Sequence, residues 1–576
     1  MKSFRSKTLM LTITTMLLAS LFMGSSVFAA EQTKSPMQQY VEAMQPGWNL
    51  GNTFDSVGLG GSEDPASEDE TAWGNPNVTR EQIAWIADQG FKSIRIPITF
   101  DAKTGPAPEY VVDPAYLERL AEVVNWSLDE GLYVMINMHH DSWIWVNGMG
   151  ENHDDVLARF EAIWTQVAGH FKDYPRELMF ESINEPQFYG EQSGKSHQEL
   201  LDTLNLSFYN IVRASGGNNA DRPLVLPTLY TNAGQEHLDA LKSFIEDLND
   251  PHIIATIHYY GFWPFSVNIA GHTTFDETTR DDIHQNFDRL YDTFVSQGIP
   301  VIIGEFGLLG FDQHTGTIEQ GEKLKFFAYM LNYAQDKGLT HMLWDNGQHF
   351  NRRTFEWNDP QLYEWMRESW RGRSAVGMTD LVFVKKGGEV EDVTIPFEMN
   401  GRRFMMLTIG EQPLKMKQDF RFNRQTGVIT LNADLLERLT ASGEFGEQAR
   451  LTTYFNLGAP WTFRVIYYDT PVFGAAEGTT VDFAIPVQYN GDLLATMEAY
   501  YEDGSFAGPQ NWTPFKEFSY TFEPNYEENT LILKPNFFNE TEDGVVNLKF
   551  HFWSGEVLEY TITKDGDYVT GQPVTN

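Results

Sequence analysis

Eight short apolar runs, each followed by a longer segment of helical periodicity, constrain the fold of this chain more than any other feature. Such alternation is typical of βα units around a parallel sheet. The runs occupy residues 47–50, 93–98, 132–138, 178–183, 224–229, 253–257, 301–303 and 341–343. Eight parallel strands in about 330 residues suit a closed barrel, so we predict an α/β fold, a (β/α)8 TIM barrel, over residues 37–373.

The segments between the apolar runs carry the signals of helix ends. Thr79 followed by Gln82 forms a capping box, and Asp113-Pro114 is typical of a helix start. Glycines stand where four helices should end, at Gly90, Gly131, Gly298 and Gly338. A doubly wound open sheet is the alternative, but no Gly-rich phosphate loop follows the first run.

After Arg373 the pattern changes to β-alternation with Asn-Gly turns, which indicates all-β structure. Residues 395–401 resemble residues 485–491, and residues 455–458 resemble residues 552–555. A segment that recurs in this way indicates two copies of one β-rich unit, although a single longer sandwich stays open.

We therefore predict two small all-β sandwich modules, at residues 374–471 and at residues 472–576. The joint at residues 374–377 is short and lacks the Ser/Pro-rich composition of a free tether. Both modules should accordingly be held close to the barrel, where they would share its substrate.

The amino terminus has the pattern of a secretory signal. Three basic residues precede an apolar stretch at residues 9–23, and Val27-Phe28-Ala29 supplies a small-residue cleavage site. A retained membrane anchor is the alternative, but about 15 apolar residues are short for a span of roughly 20. We expect residues 1–29 to be a signal peptide and the mature chain to be a secreted, extracellular bacterial protein.

Composition excludes several classes of function. The chain has no cysteine, which rules out disulfides, thiolate metal sites and a cysteine nucleophile. Its formal net charge of −39 would repel nucleic acid and anionic membranes, so a neutral partner is favoured, although a solvated surface explains the same charge. Aromatic residues make up 14% of the chain, more than a core requires, so some rings should face a ligand.

Polar side chains and one indole stand directly at the ends of most predicted strands. In a (β/α)8 barrel the loops at the carboxyl ends of the strands form the active site, so these side chains should converge on one rim. They are Arg95, His139, His140, Asn184, Glu185, His258, Tyr260, Glu305 and Trp344.

Two facing carboxylic groups such as Glu185 and Glu305 are what glycoside cleavage requires: one protonates the leaving oxygen while the other stabilises or attacks the anomeric carbon. For a single Glu, solvation is the more frequent explanation, and it is the accompanying amide, imidazole, phenol and guanidinium groups that favour catalysis. Histidines also suggest a metal, but no cluster has a metal-site spacing such as His-Glu-x-x-His. We expect no metal and no cofactor.

Four motifs carry a resemblance to a known family: Gly47-Trp48-Asn49-Leu50-Gly51-Asn52, Arg95-Ile96-Pro97, Ile183-Asn184-Glu185-Pro186 and Ile303-Gly304-Glu305-Phe306-Gly307. Over about residues 37–372 the chain resembles glycoside hydrolase family 5. Thr71-Ala72-Trp73-Gly74-Asn75-Pro76 is similar to the endoglucanase and xyloglucanase branch of that family. The trailing modules resemble an immunoglobulin-like module and a family 46 carbohydrate-binding module.

The resemblance implies a retaining double displacement, in which Glu305 attacks and Glu185 acts first as acid and then as base, with carboxyl groups roughly 5 to 5.5 Å apart. Arg95 and Tyr260 would hydrogen-bond Glu305 and hold it ionised. Asn184 would reach the 2-hydroxyl of the sugar being cleaved. Scaffolding is the alternative role for Arg95, and a strand-end cap is the alternative for Asn184.

His139 and His258 are expected to line the same pocket, where they orient Glu185 or bind hydroxyls. Asn52 and His140 are further candidates for substrate binding.

Aromatic rings are the candidates for sugar-binding surfaces, since pyranose C–H faces pack on aromatic faces. Trp344, at the end of the eighth strand, would form the floor under the sugar ring. Rings on predicted rim loops or in turns of the second sandwich would extend this surface, with loop or core packing as the equal alternative: Trp73, Trp143, Trp263, Trp512 and Trp553.

The leading interpretation is a secreted, endo-acting β-1,4-glucanase whose partner is a β-glucan polysaccharide, namely cellulose, mixed-linkage glucan or xyloglucan. A β-mannanase would use the same glutamates and stays open. A non-catalytic carbohydrate-binding protein is the rival from another class, although the intact glutamates disfavour it. An adhesin built on the sandwiches would leave the rim residues unexplained. We expect a monomer that binds neither nucleic acid nor, after signal cleavage, the membrane.

Overall fold

The computed structural model describes residues 34–58 and 69–574. The predicted signal peptide, at residues 1–29, lies outside these residues. Within them, no helix combines the length and the apolar character that a membrane span needs. This part of the chain forms one parallel barrel followed by two β-sandwiches.

Eight parallel strands form a closed barrel, in which each strand pairs with the next along the chain and the eighth pairs with the first. They are β1 (Gly47–Asn49), β2 (Ser93–Ile96), β3 (Tyr133–Asn137), β4 (Leu178–Glu181), β5 (Leu224–Pro227), β6 (Ile253–Tyr259), β7 (Val301–Phe306) and β8 (Thr340–Leu343). Their side chains are almost all buried, as expected for a parallel sheet covered by helices. The predicted α/β class and TIM barrel are confirmed.

The α-helices of the barrel surround the strands or lie in their connecting loops. They are α1 (Pro36–Ala43), α2 (Arg80–Asp88), α3 (Pro114–Asp129), α4 (Asp141–Ile144), α5 (His153–Phe171), α6 (His197–Ala214), α7 (Gln235–Leu248), α8 (Trp263–Ser266), α9 (Glu277–Thr293), α10 (Leu309–Gln313), α11 (Gln320–Asp336) and α12 (Pro360–Ser369). The predicted capping box of Thr79 and Gln82 starts α2, and Asp113 caps α3. Gly90, just after α2, has a φ of 104°, which disfavours any residue with a Cβ atom.

Helix α1 packs against one end of the barrel. Met37 and Val41 of α1, with Met44 directly after it, are buried in one apolar cluster with strand residues such as Met135 and Met342. This cluster fills the amino-terminal end of the barrel, so the carboxyl ends of the strands are left to form a cleft.

A two-stranded hairpin, β9 (Phe350–Asn351) and β10 (Glu356–Trp357), follows the barrel, and two sandwiches follow it. The first sandwich contains β11 (Val376–Gly377), β12 (Leu381–Lys385), β13 (Val393–Glu398), β14 (Phe404–Ile409), β15 (Gln412–Pro413), β16 (Phe420–Asn423), β17 (Val428–Leu431), α13 (Ala433–Leu439), β18 (Gly446–Phe455) and β19 (Trp461–Tyr468). The second contains β20 (Val472–Phe473), β21 (Ala476–Thr479), β22 (Phe483–Gln488), β23 (Leu494–Tyr501), β24 (Phe522–Asn525), β25 (Thr530–Leu533), α14 (Pro535–Asn539), β26 (Gly544–Phe552), β27 (Val557–Asp565) and β28 (Tyr568–Pro573).

Each sandwich pairs a four-stranded sheet with a five-stranded sheet, and the two copies share most of their strand order. The repeated sequence segments occupy equivalent places, at β13 and β22 with the turns that follow them. In both turns Asn and Gly have positive φ, at Asn400-Gly401 and at Asn490-Gly491. The prediction of two all-β modules is confirmed, and a single longer sandwich is excluded.

Both sandwiches pack directly on the barrel. In the first, the Trp461 ring lies edge-on to Trp365 of α12, with ring centroids 5.5 Å apart. In the second, the backbone N–H of Phe518 donates to the Asn268 carbonyl at 3.1 Å, and the Asn268 side-chain amide donates to the Ala495 carbonyl at 3.0 Å. Because Asn268 lies in the loop that follows β6, the second sandwich contacts the end of the barrel that carries the cleft.

A buried histidine in the barrel gives the fold a pH-dependent stability. Burial lowers the pKa of His341, on β8, from 6.5 to about 4. Between these values the unfolded chain binds a proton that the folded barrel does not, so the full free energy of unfolding is present above pH 6.5 and falls as the pH drops toward 4. The total loss is roughly 3 kcal/mol. We expect His341→Met, which does not titrate, to lose less in Tm than the wild type between pH 7 and pH 4.5; equal losses would contradict this.

Candidate active site

The carboxyl ends of the strands bring Glu185 and Glu305 together. Glu185 follows β4, and Glu305 belongs to β7. One carboxylate oxygen of each residue lies within 4.8 Å of the other, and a ring nitrogen of His258, on β6, lies within the same distance of both. Glycosidases in which a carboxylate attacks directly have carboxyl groups about 5–5.5 Å apart, whereas those that interpose a water need about 6.5–9.5 Å. The separation here suits direct attack.

Two hydrogen bonds hold the carboxylate of Glu305. Arg95 Nη1 donates to Oε1 at 2.6 Å, and the Tyr260 hydroxyl donates to Oε2 at 2.7 Å. Glu305 is only 4% exposed, so these donors replace the water that a free carboxylate would bind. Burial, reinforced by the charge of Glu305, raises the pKa of Tyr260 well above its ordinary value, so this phenol stays a donor.

Arg95 is fully buried and links four strands through its guanidinium group. Besides Glu305, it donates through Nε to Glu181 Oε2 at 2.7 Å, through Nη2 to Asn184 Oδ1 at 2.8 Å and through Nη1 to Asn49 Oδ1 at 3.0 Å. Burial lowers the pKa of Arg95, but the charges of Glu181 and Glu305 outweigh burial and raise it. Arg95 is therefore a permanent cation at the centre of the site.

Glu185 and His258 form a hydrogen-bonded pair. His258 Nδ1 lies 2.8 Å from Glu185 Oε1 and 3.4 Å from Glu305 Oε2. Burial raises the pKa of Glu185, but the hydrogen bond and charge of His258 outweigh it, and the pKa falls below its ordinary value. Burial lowers the pKa of His258, but the two glutamates raise it above its ordinary value. These opposite shifts favour an ionised Glu185 beside a protonated His258.

His139 and His140 follow β3, and a hydrogen bond at Nδ1 orients each ring. Trp143 Nε1 can only donate, and it donates to His140 Nδ1 at 2.8 Å, so His140 Nε2 carries the hydrogen and faces Asp55 at 3.4 Å. The Asn137 amide nitrogen likewise lies 3.2 Å from His139 Nδ1. Ligand atoms of Asp55, His139 and His140 lie within 4.8 Å of one another.

A band of rings crosses the cleft beside the two glutamates. Trp344 stacks on His139 with centroids 5.7 Å apart and an interplanar angle of 6°. The His140 ring continues the band, 5.2 Å from Trp73 and 5.4 Å from Trp143. Trp143 is 42% exposed, so the band reaches the surface and offers apolar faces on which pyranose rings can pack.

The structure separates the two predicted aromatics of the second sandwich. Trp512 lies 6.2 Å from Trp263, at the start of α8 on the barrel rim, and both rings are exposed. Trp553 is half-buried in the turn before β27, where Glu556 pairs with Lys385 of the first sandwich at 2.6 Å. Among the described residues, Trp512 meets an aromatic ring of the barrel and Trp553 does not.

Four polar residues of the site were absent from the prediction: Asn49, Asp55, Glu181 and Asp312. Asp55 accepts the backbone N–H of the predicted residue Asn52 at 3.0 Å, which places Asn52 in the loop after β1. The side chain of Asp312, on α10, is 10% exposed, and the loss of solvent around it raises its pKa well above its ordinary value. Glu181 could have been identified from the sequence, because it is a carboxylate inside an apolar run of strand length. Asp55 lies in a loop and Asp312 in the short helix α10 between β7 and α11, and no periodicity points to either.

Family comparisons agree with the architecture. Residues 55–350 match the sequence model described as cellulase (glycosyl hydrolase family 5). Residues 376–465 match carbohydrate binding domain X2, and residues 469–572 match the family 46 carbohydrate binding domain. The first sandwich, which sequence motifs likened to an immunoglobulin-like module, thus also corresponds to a carbohydrate-binding domain.

Similar proteins cover the whole chain. Endoglucanase B of Paenibacillus lautus is 52% identical over 576 residues, which are 99% of this chain and 100% of that protein. The structure of the tri-modular endo-β-1,4-glucanase B of Bacillus halodurans is 51% identical, with a TM-score of 0.89 over 93% of this chain and 99% of that one. A tri-modular endo-β-1,4-glucanase of Bacillus licheniformis, complexed with cellotetraose, is 30% identical, with a TM-score of 0.78 over 94% of this chain and 99% of that one.

Proposed function

Because the chain belongs to glycoside hydrolase family 5 and is an endo-β-1,4-glucanase, we propose that it cleaves glucan chains with Glu305 as the nucleophile and Glu185 as the acid/base, retaining the anomeric configuration. The separation of the two carboxylates, within 4.8 Å between oxygens, is the observation that carries this proposal. The two donors on Glu305 support its role, since they hold the carboxylate in one orientation.

The reaction then proceeds in two displacements. Glu305 forms a bond to the anomeric carbon while the bond to the leaving oxygen breaks, and Glu185 transfers its proton to that oxygen. In the second step Glu185 takes a proton from water, the water oxygen bonds to the anomeric carbon, and Glu305 leaves as a carboxylate. Asn184, held by Arg95 at 2.8 Å, lies beside Glu185 and is proposed to contact the 2-hydroxyl.

Substrate binding supplies the acid form of Glu185. In the free protein the proton resides on His258, but the Glu185 side chain is 45% exposed and loses its water when a sugar ring covers it. An ion pair in a drier site is less stable relative to the neutral pair, so the proton returns to Glu185 along the 2.8 Å hydrogen bond. His258 is thus proposed to store the catalytic proton between turnovers.

The proposed substrates are cellulose, mixed-linkage β-glucan and xyloglucan, all neutral polymers compatible with a net charge of −39. The proposed organisation is a signal peptide at residues 1–29, a catalytic barrel at 37–373, and modules at 374–471 and 472–576. The mature chain is proposed to act outside the cell as a monomer.

Hydrolysis of barley β-glucan, carboxymethylcellulose, xyloglucan and mannan by the purified mature chain tests the proposed substrate class. We expect cleavage of the three glucans, with a fall in viscosity that runs ahead of the release of reducing ends, as an endo-acting enzyme produces. Cleavage of mannan alone would replace the proposal with a β-mannanase. No cleavage of any of the four by folded protein would favour a binding protein.

The last module is proposed to extend the cleft of the barrel toward bulky or branched chains. Trp512 lies 6.2 Å from Trp263 across the module boundary, and the exposed rings form one surface that continues from the barrel. The boundary there is closed by backbone hydrogen bonds, including the one from Phe518 to Asn268, so the position of Trp512 is fixed relative to the catalytic glutamates.

Trp512→Ala is expected to lower kcat/KM on xyloglucan by about tenfold, because a stacked aromatic contact to a sugar is lost, and to leave kcat/KM on cellotetraose within about twofold. Trp553→Ala is the matched control, since it removes the same ring from the same module at a place where the structure brings it to no barrel ring. Initial rates on both substrates measure the effect. Equal losses on polymer and oligosaccharide would contradict cleft extension.

A further inference from the structure

Glu181 is a buried carboxylate that the proposed mechanism leaves without a role. Its side chain is fully buried on β4, and Oε2 accepts a hydrogen bond from Arg95 Nε at 2.7 Å. Oε1 is buried and has no hydrogen-bond partner among the residues that the structure describes. A buried carboxylate with one oxygen lacking a hydrogen bond lowers the stability of the barrel. An amide or apolar side chain at this position would lower it less.

Arg95 is shared between two carboxylates on opposite sides of its guanidinium group. Nε faces Glu181, while Nη1 faces Glu305 at 2.6 Å, and neither Arg95 nor Glu181 is accessible to water. The other titratable groups that face Glu305, from the strands and helices around it, are Tyr260, His258, His139, Glu185 and Asp312. Arg95 is the permanent cation of this set. How strongly it stabilises the carboxylate of Glu305 therefore depends on how much of its charge Glu181 already neutralises.

The first displacement changes the charge of this group. When Glu305 bonds to the anomeric carbon it becomes a neutral ester, and Arg95 loses the counter-ion on its Nη1 side. A buried guanidinium without a counter-ion is strongly unfavourable. Glu181 does not react, so its pairing with Arg95 persists through the covalent intermediate and compensates the charge that Glu305 gives up.

We propose that Glu181 is a positioning residue for the nucleophile: it holds Arg95 neutralised while the charge of Glu305 is consumed, and it limits how strongly Arg95 stabilises Glu305 before attack. The second effect matters because an interaction stronger in the ground state than in the transition state slows the reaction. This inference deepens the proposed function and rests on Glu305 being the nucleophile.

Glu181→Gln tests the inference, with inactivation by 2,4-dinitrophenyl 2-deoxy-2-fluoro-β-cellobioside as the measurement. This reagent reports attack by the nucleophile alone, because its leaving group needs no proton from Glu185. Loss of the Glu181 charge should slow inactivation by about 30-fold, since the intermediate then leaves Arg95 unpaired. It should also move the low-pH limb of the inactivation rate down by roughly one pH unit, since the neutral Gln leaves the charge of Arg95 to Glu305 alone.

Two further variants separate charge from structure. Glu181→Asp keeps the charge and should keep the low-pH limb of the wild type, even where its rate is lower. Glu322→Gln is the matched control: Glu322, on α11, is also buried and paired with a cation, Lys325 at 2.6 Å, but lies outside the cleft. It should lower Tm without moving the low-pH limb.

A Glu181→Gln variant with the wild-type rate and low-pH limb would overturn the inference, as would a Glu181→Asp variant whose limb moves by a full unit. These results differ from failure of the proposed function. If the reagent does not label Glu305 in the wild type, as peptide mass spectrometry would reveal, the assignment of the nucleophile itself falls.

Discussion

Glu305→Ala is expected to lower kcat on barley β-glucan by about 10⁵-fold, because no other group can form the bond to the anomeric carbon. The barrel should still fold, since Arg95 keeps its pairing with Glu181 at 2.7 Å when Glu305 is removed. Sodium azide can occupy the space left by the carboxylate. It should restore cleavage of 2,4-dinitrophenyl β-cellobioside and yield the α-glycosyl azide, which nuclear magnetic resonance identifies.

Glu236→Ala provides the control for Glu305→Ala. Glu236 lies on α7 and its side chain is 86% exposed, so this substitution removes a carboxylate without touching the cleft. It should keep the wild-type rate. More than one hundredth of the wild-type activity in purified Glu305→Ala, or a β-configured azide product, would contradict the assignment of Glu305.

Glu185→Ala is expected to lower kcat on β-glucan by about 10³-fold, the usual contribution of a general acid. If Glu185 is the acid, the loss of rate in the first step should depend on the leaving group. Formation of the intermediate from 2,4-dinitrophenyl β-cellobioside needs no proton, so a burst of dinitrophenol should persist while the slow second step limits turnover. Azide should accelerate that step and give the β-glycosyl azide.

Glu185→Gln is the matched variant for this test, because it preserves the shape of the side chain and a hydrogen-bond acceptor for His258. It should reproduce the loss on β-glucan and the burst. If, in both variants, the rate of the dinitrophenol burst falls as much as kcat/KM on β-glucan does, Glu185 does not act as the acid, and another group near the leaving oxygen must supply the proton.

The sequence predicted the barrel and its rim well because each depends on local patterns. Apolar runs of strand length, helix caps such as Thr79 and the polar residues at strand ends are readable one segment at a time. Once a closed barrel is accepted, its geometry requires strand-end residues such as Glu185 and Glu305 to meet, whatever the loops between them.

Contacts made by side chains across the barrel were not predictable in this way. Glu181 reads as an odd residue inside an apolar strand until Arg95 is seen to lie opposite it. Which of Glu185 and His258 is favoured to hold a proton depends on burial and on three neighbouring charges. A sequence pattern contains none of these. The different positions of Trp512 and Trp553 depend on how one module docks on the barrel, and similar turn contexts gave no means to separate them.

The absence of a free tether between barrel and last module changes what that module can contribute. A binding domain on a flexible linker raises the effective concentration of enzyme near an insoluble polymer, and it does so whichever way the catalytic cleft faces. A module fixed through Asn268 and Trp263 cannot search for polymer independently. We therefore expect its affinity to count only for chains that also lie in the cleft, which would make it a selector among polymers rather than an anchor to a surface.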